Sequence, residues 1–198
     1  IDVEAVLADK VVIGPLTRAM CGGIADGAAA VLLVSEAFAR ARGLGGPRVA
    51  ASAVATGISE GGQPNATARA GALAYAMAGV GPEDIGVAEV HDPTAPQEMF
   101  DIEDLGLAPR GGAIALVETG ETSLGGRLPV NTSGGLTSRG HPVGATGVAQ
   151  IVEIAEQLTG VSLSPGPSTG SGEGRGEGGT PASGREPAPV PSPSSSFG

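Results

Sequence analysis

Asn131 to Gly147 reads NTSGGLTSRGHPVGATG, and the interpretation of the whole chain turns on it. Five glycines, one histidine and one proline fall within this stretch. An apolar-periodic run follows: Val148, Ile151, Val152, Ile154, Ala155 and Leu158. Spacings of three and four residues place these groups on one helical face. Pro142 suits a first helical turn, where a missing N–H costs nothing. The spacing therefore predicts His141 at the mouth of a helix, in a loop that glycine allows to approach a ligand. Free backbone N–H groups and the helix dipole at such a mouth favour negative charge. A proton acceptor beside a cradle for a developing oxyanion is what acyl transfer requires. A histidine in a glycine-rich loop is also a common turn residue, and spacing alone leaves both readings open.

The rest of the composition narrows the class. The 198 residues suffice for one ordinary domain and a tail. Net charge is −10, and no basic stripe interrupts it, which argues against nucleic acid or an anionic membrane as partner. A single cysteine excludes an intramolecular disulfide and suits a reducing compartment. The longest apolar run, Ala28 to Val34, is strand-sized and far short of a membrane span. With no signal peptide in evidence, the expectation is a cytoplasmic protein.

Residues 1 to 23 carry scattered apolar groups and a Gly14-Pro15 break, read as a surface approach with a short helix over Val3 to Leu7. Ala28 to Val34 suits a strand buried on both faces. A single helix from Gly27 to Arg42 is the rival reading, since alanine favours helices. In the strand-then-helix version Ser35 caps the helix and Gly43 closes it after Arg40 and Arg42. Arg48 to Ser59 reads as a strand, Gly61 to Pro64 as a turn, and Thr67 to Ala78 as a helix closed by Gly79. Ile85 to His91 reads as a short buried strand. Ala108 to Arg127 reads as a glycine-rich loop with a short apolar run, Ala113 to Val117. Leu128 to Val130 leads as a strand into the opening motif.

HDPTAPQEMFDIEDLGL, residues 91 to 107, forms a second chemical patch. Asp92 or Thr94 can cap a helix carrying Met99, Phe100, Ile102 and Leu105. His91 falls at the C-terminal end of a strand, where α/β folds place functional groups. It could equally hydrogen-bond a neighbouring loop. Glu98 is either a base near a catalytic histidine or a solvated charge. Residues 161 to 198 are dominated by Gly, Pro and Ser without periodicity, and the expectation is disorder.

The string N-x-S-G-G-x-x-x-x-G-H-P-x-G-A-T-G resembles the histidine loop of the thiolase family, in its sterol-carrier-protein type, a branch of acetyl-CoA acetyltransferases. Ala25-Asp26-Gly27-Ala28-Ala29-Ala30 resembles the S-D-G-A-A-A strand that ends the family's first half, with Ala25 in place of the serine. His91-Asp92-Pro93-Thr94 resembles the branch's H-D-x-F motif, with the aromatic absent, which alters the acyl pocket. Cys21 lies where some members carry a structural cysteine, and its ordinary reading is a small buried or loop thiol. The similarity runs from about Gly14 to Gly160.

The resemblance implies an α/β thiolase-like fold, a mixed sheet with helices on both faces, present as an incomplete C-terminal half plus a disordered tail. Residues 1–43 would end the N-terminal half, 44–160 would form a truncated C-terminal domain, and 161–198 the tail. It implies catalytic roles for His141 and His91: activation of a cysteine nucleophile, and support of the thioester oxygen. Asn131, Gly134, Gly135, Gly140 and Gly144 would shape substrate binding. No metal and no cofactor is implied beyond a coenzyme A thioester as substrate. The nucleophilic cysteine would lie upstream of residue 1, so the chain is expected to be a fragment, inactive alone. The central strand near Val49 to Thr56 would lack a neighbour and leave an aggregation-prone edge.

Three functions follow as expectations. The first is acyltransfer on acyl-CoA in fatty-acid or sterol lipid metabolism, with the missing N-terminal half or a homo-oligomer as partner. The second is steroid side-chain retro-aldol cleavage with a small OB-fold partner. It ranks lower, because the chain's one tyrosine, Tyr75, lies in a predicted helix away from the motifs. The third is a non-catalytic acyl-CoA or lipid-binding module.

Overall fold

A computed structural model describes residues 1–57 and 64–160. The expected turn at 61–63, the end of the expected 48–59 strand and the expected disordered tail lie outside the described residues. Helix α1 (Val3–Ala8) starts where the Asp2 carboxylate accepts from the Ala5 N–H at 2.8 Å. A hairpin follows, β1 (Val11–Ile13) antiparallel to β2 (Leu16–Thr17), turning at Gly14-Pro15. The approach segment thus holds both a helix and a small sheet, where the sequence suggested only a helix.

Helix α2 (Glu36–Arg42) is capped as its sequence dictates. Ser35 Oγ accepts from the Phe38 N–H at 3.2 Å, and Gly43 closes the end with φ 62°. That boundary excludes the single-helix reading of 27–42. Helix α3 (Ala66–Ala78) ends likewise at Gly79. It packs on α4 (Ala95–Asp104): Thr67 Oγ1 donates to Asp101, and the Tyr75 hydroxyl donates to the Leu105 carbonyl at 3.0 Å. Ala113–Glu118 forms a helix, α5, where the sequence suggested a run within a loop. Glu103 anchors its start by accepting the Ala113 N–H.

The expected strands differ most from the structure. Residues 28–34 and 48–57 carry no regular secondary structure and no ladder, and Leu32, Leu33, Val49 and Val54 are exposed. An apolar run becomes a buried strand only when neighbours satisfy its backbone and cover its faces. Among the described residues these two segments have no such neighbours. Ala88 and Val130 do pair, in parallel: Ala88 N–H donates to Pro129 O, and Asn131 N–H donates to Ala88 O. The core lies directly beneath that pairing, with Val90, Ile102, Leu107, Ala113, Leu128 and Val130 in one cluster.

Two helices complete the motif region, α6 (Gly135–Arg139) and α7 (Thr146–Thr159). Helix α7 begins at Thr146, not at Pro142. Pro142 lies in the preceding turn, where its carbonyl accepts from the Ala145 and Thr146 N–H groups. The apolar stripe of α7 is also not the side that packs hardest. Thr146, Glu153 and Glu156 are buried, whereas Ile151 and Leu158 are 51% and 62% exposed. The polar side chains turn inward because the loops they meet present hydroxyls and carbonyls. No helix among the described residues is long and apolar enough to cross a membrane.

Candidate functional site

The two histidines, fifty residues apart in sequence, meet in space. Their rings stand edge to face with centroids 4.9 Å apart. His91 is exposed and His141 half-buried. Three loops converge to bring this about: 91–94 after the Ala88 pairing, 131–141 around α6, and 21–24 from the approach segment.

The third loop was not evident from sequence. Gly22 N–H donates to Pro93 O at 2.9 Å, and Gly23 O accepts from His141 N–H at 2.7 Å. One dipeptide therefore holds both histidine loops through backbone atoms. Bridges from Cys21 to Thr94 and from Ile24 to His141 extend that grip. Cys21 itself is half-buried, with its Sγ 3.5 Å from Thr17 O.

Asp92 is the second residue whose place the sequence did not give. It does not cap α4. Thr94 takes the N-cap position there, with no side-chain cap bond. The buried Asp92 carboxylate instead accepts from the Leu136 N–H at 2.9 Å, at the start of α6. Gly135 lies so close that any Cβ would collide with that carboxylate, and its φ of 68° independently disfavours a side chain. At Gly140, with φ 84°, a Cβ would press on the Ala25 methyl. These two glycines let the loop lie flat against its neighbours.

Asn131 joins the loops from below. It adopts a left-handed backbone, φ 51°, and is 7% exposed. Its Oδ1 accepts from the Val90 N–H at 2.9 Å, and its Nδ2 donates to Glu98 Oε2 at 2.7 Å. Burial pushes the Glu98 carboxyl above the usual range, opposed by the Asn131 hydrogen bond. Glu98 is thus neither a solvated charge nor in recorded contact with an imidazole. Nearby, Glu89 accepts from the Ser133 N–H and hydroxyl.

Helix α7 supplies a row of polar contacts. Thr146 Oγ1 lies 2.8 Å from His141 Nδ1. Gln150 Nε2 donates to Val90 O at 2.6 Å, beside His91. Thr132 Oγ1 donates to Glu153 at 2.9 Å, beside Asn131. Positions 146, 150 and 153 share a helical face, so one helix braces both histidine loops. The alternation of polar residues inside an apolar-looking helix was the available sequence signal.

Just after His141 in the chain, residues 142–145 face residues 25–29 across an open cleft of about 440 Å³, with Gly144 on its wall. Gly134 is exposed at the start of α6 and Gly135 buried within it. The site therefore gathers His91, His141, Asn131, Gly135 and Gly140 closely, while Gly144 lies along the cleft and Gly134 at the rim. Among the described residues, no three His, Cys, Asp or Glu side chains converge as a metal site.

Comparison with known proteins places this geometry. Residues 58–165 match the thiolase C-terminal domain-like family. The benzoylsuccinyl-CoA thiolase subunit BbsB of Thauera aromatica is 38% identical over 80% of this chain and 43% of its own length. The acetyl-CoA acetyltransferase of Methanothermobacter thermautotrophicus is 40% identical over 81% of this chain and 43% of its own. Human sterol carrier protein 2 is 38% identical over 79% of this chain and 31% of its own. A solved Ltp2-ChsH2(DUF35) aldolase superposes with a TM-score of 0.69 at 28% identity, over 82% of this chain and 44% of that one. The chain thus spans less than half the length of these relatives, and its fold is thiolase-like.

Proposed function

Because the chain belongs to the thiolase family, through a C-terminal domain-like segment, we propose that it is part of an acyltransferase acting on acyl-CoA thioesters. The observation that carries this reading is the edge-to-face contact of two imidazoles at 4.9 Å. In this reading His141 is the general base toward a cysteine thiol contributed from outside residues 1–198. The thiol proton passes to the imidazole, and sulfur keeps the electron pair that attacks the acyl carbon. His91 supports the thioester oxygen. Asn131, Gly134, Gly135, Gly140 and Gly144 shape the walls around the acyl group, and the CoA thioester is substrate rather than cofactor. Residues 1–43 belong with the cysteine-bearing half and 44–160 with the C-terminal domain.

The test is complementation. The chain alone should show no thiolysis of acetoacetyl-CoA. Mixed with the cysteine-bearing half of the Methanothermobacter relative, it should gain activity, and His141→Ala should remove roughly 10²- to 10⁴-fold of that gain. Thiolysis by the chain alone, or an undiminished His141→Ala variant, would overturn the reading.

A second reading is retro-aldol cleavage beside a small OB-fold partner. It draws on the solved neighbour, the Ltp2-ChsH2(DUF35) aldolase. Against it stands Tyr75, whose hydroxyl is committed to the Leu105 carbonyl on the α3–α4 contact. Co-purification with a partner of that kind, together with aldolytic turnover, would favour it over acyltransfer.

A further inference from the structure

Thr146 stands in a position to decide which nitrogen of His141 carries the proton. Its Oγ1 is 2.8 Å from His141 Nδ1 and 3.2 Å from the Pro142 carbonyl oxygen. A hydroxyl has one proton to give, and these two neighbours make different demands on it. The carbonyl has only lone pairs and can only accept. The imidazole Nδ1 can donate or accept, according to tautomer. A threonine in a helix habitually donates to the carbonyl four residues back, and Pro142 is that residue. Once the proton is directed there, Oγ1 presents a lone pair to Nδ1. Nδ1 must then bear hydrogen, and the lone pair of the neutral ring lies on Nε2.

The Pro142 carbonyl also accepts the Ala145 and Thr146 N–H groups, so the hydroxyl shares it as a third donor, and the surroundings hold both Thr146 and the ring in place. Thr146 is 2% exposed, so bulk water does not compete for its hydroxyl. It is the first residue of α7, the helix whose Gln150 and Glu153 brace the neighbouring loops. The imidazole is fixed from the backbone side as well, by the His141 N–H bond to Gly23 O. Among the described residues no hydrogen bond is recorded to Nε2.

We infer that Thr146 is a positioning residue that locks His141 in the Nδ1–H tautomer and so makes Nε2 the proton acceptor. Only the use of that acceptor rests on the acyltransferase reading. When Nε2 takes a proton, the donor atom keeps the bonding pair, and the Nδ1–H bond to Thr146 persists in the imidazolium.

The experiment reads the tautomer without turnover. The full 198-residue chain, labelled with ¹⁵N-histidine, gives two sets of ring signals, which His91→Gln assigns. At a pH where His141 is neutral, a protonated Nδ1 and an unprotonated Nε2 are expected. Thr146→Val, nearly isosteric, should move His141 toward Nε2–H, and Thr146→Ser should restore the original form. In the complemented enzyme Thr146→Val should lower kcat toward the roughly 10²- to 10⁴-fold attributable to general-base catalysis, with KM little changed, and Ser should rescue it. An Nε2–H tautomer in the unaltered chain, or an Nδ1–H tautomer that survives Thr146→Val, would refute the assignment. A chain with the expected tautomer but no complemented activity would refute the acyltransferase reading and leave the tautomer standing.

Discussion

The Asn131 amide donates at 2.7 Å to a Glu98 carboxylate whose proton affinity burial has raised. The pair couples the motif loop to helix α4. Because the folded carboxyl holds its proton more tightly than the unfolded one, the native state binds more protons above the ordinary glutamate value of 4.5. Stability must therefore fall as pH rises from that value through the folded pKa, and be free of this cost below it. Glu98→Gln keeps an acceptor for Asn131 and removes the buried charge. Its melting temperature should exceed that of the unaltered chain at pH 7 and match it near pH 4. Equal melting curves at both pH values would contradict this.

Asn131 itself satisfies a buried donor. Asn131→Ala strands the Val90 N–H and puts alanine in a left-handed conformation. The first loss costs about 1–3 kcal/mol and the second about 1–2 kcal/mol. Denaturant titration should show destabilisation of this order. Asn131→Gly relieves only the backbone part and should fall between the two.

Gly135→Ala tests how tightly the two histidine loops are clamped. The added methyl meets the Asp92 carboxylate at a backbone angle that already favours glycine. A loss of about 1–3 kcal/mol is expected from the conformation alone. The Asp92 bond to the Leu136 N–H should open as well, read as faster hydrogen exchange at Leu136 than at Leu128. Unchanged exchange at Leu136 would show that the clamp gives way without breaking.

The outward apolar surface predicts association. Ile151 and Leu158 on α7 are exposed, along with Leu32, Leu33 and Val54 on the unladdered segments. Exposed large apolar side chains in this number mark an interaction face or an aggregation site where they adjoin. Ile151→Lys combined with Leu158→Lys should lower concentration-dependent association in sedimentation without reducing helicity. A fall in helicity would mean that this face is core in the folded chain.

Local signals were legible and distant ones were not. Ser35, Gly43 and Gly79 announce helix ends because capping chemistry is confined to a few neighbouring residues. The Gly-His-Pro motif announced a site because its glycines are dictated by close approach, as Gly135 and Gly140 show. The 28–34 and 48–57 segments misled, since an apolar run says what could be buried but not whether a neighbour is there to bury it. Helix α7 misled about which face packs, because Thr146, Gln150 and Glu153 face partners 5 to 60 residues away. Gly22 and Gly23 act through main-chain atoms, which no side-chain pattern encodes.

That last contact sets a limit on how the histidine pair can move. Gly22 and Gly23 tie both histidine loops to the approach segment through main-chain bonds, so a displacement of that segment pulls on the two loops at once. Direct bonds between those loops, Leu136 N–H to Asp92 and Val90 N–H to Asn131, resist any change in the spacing of the two rings.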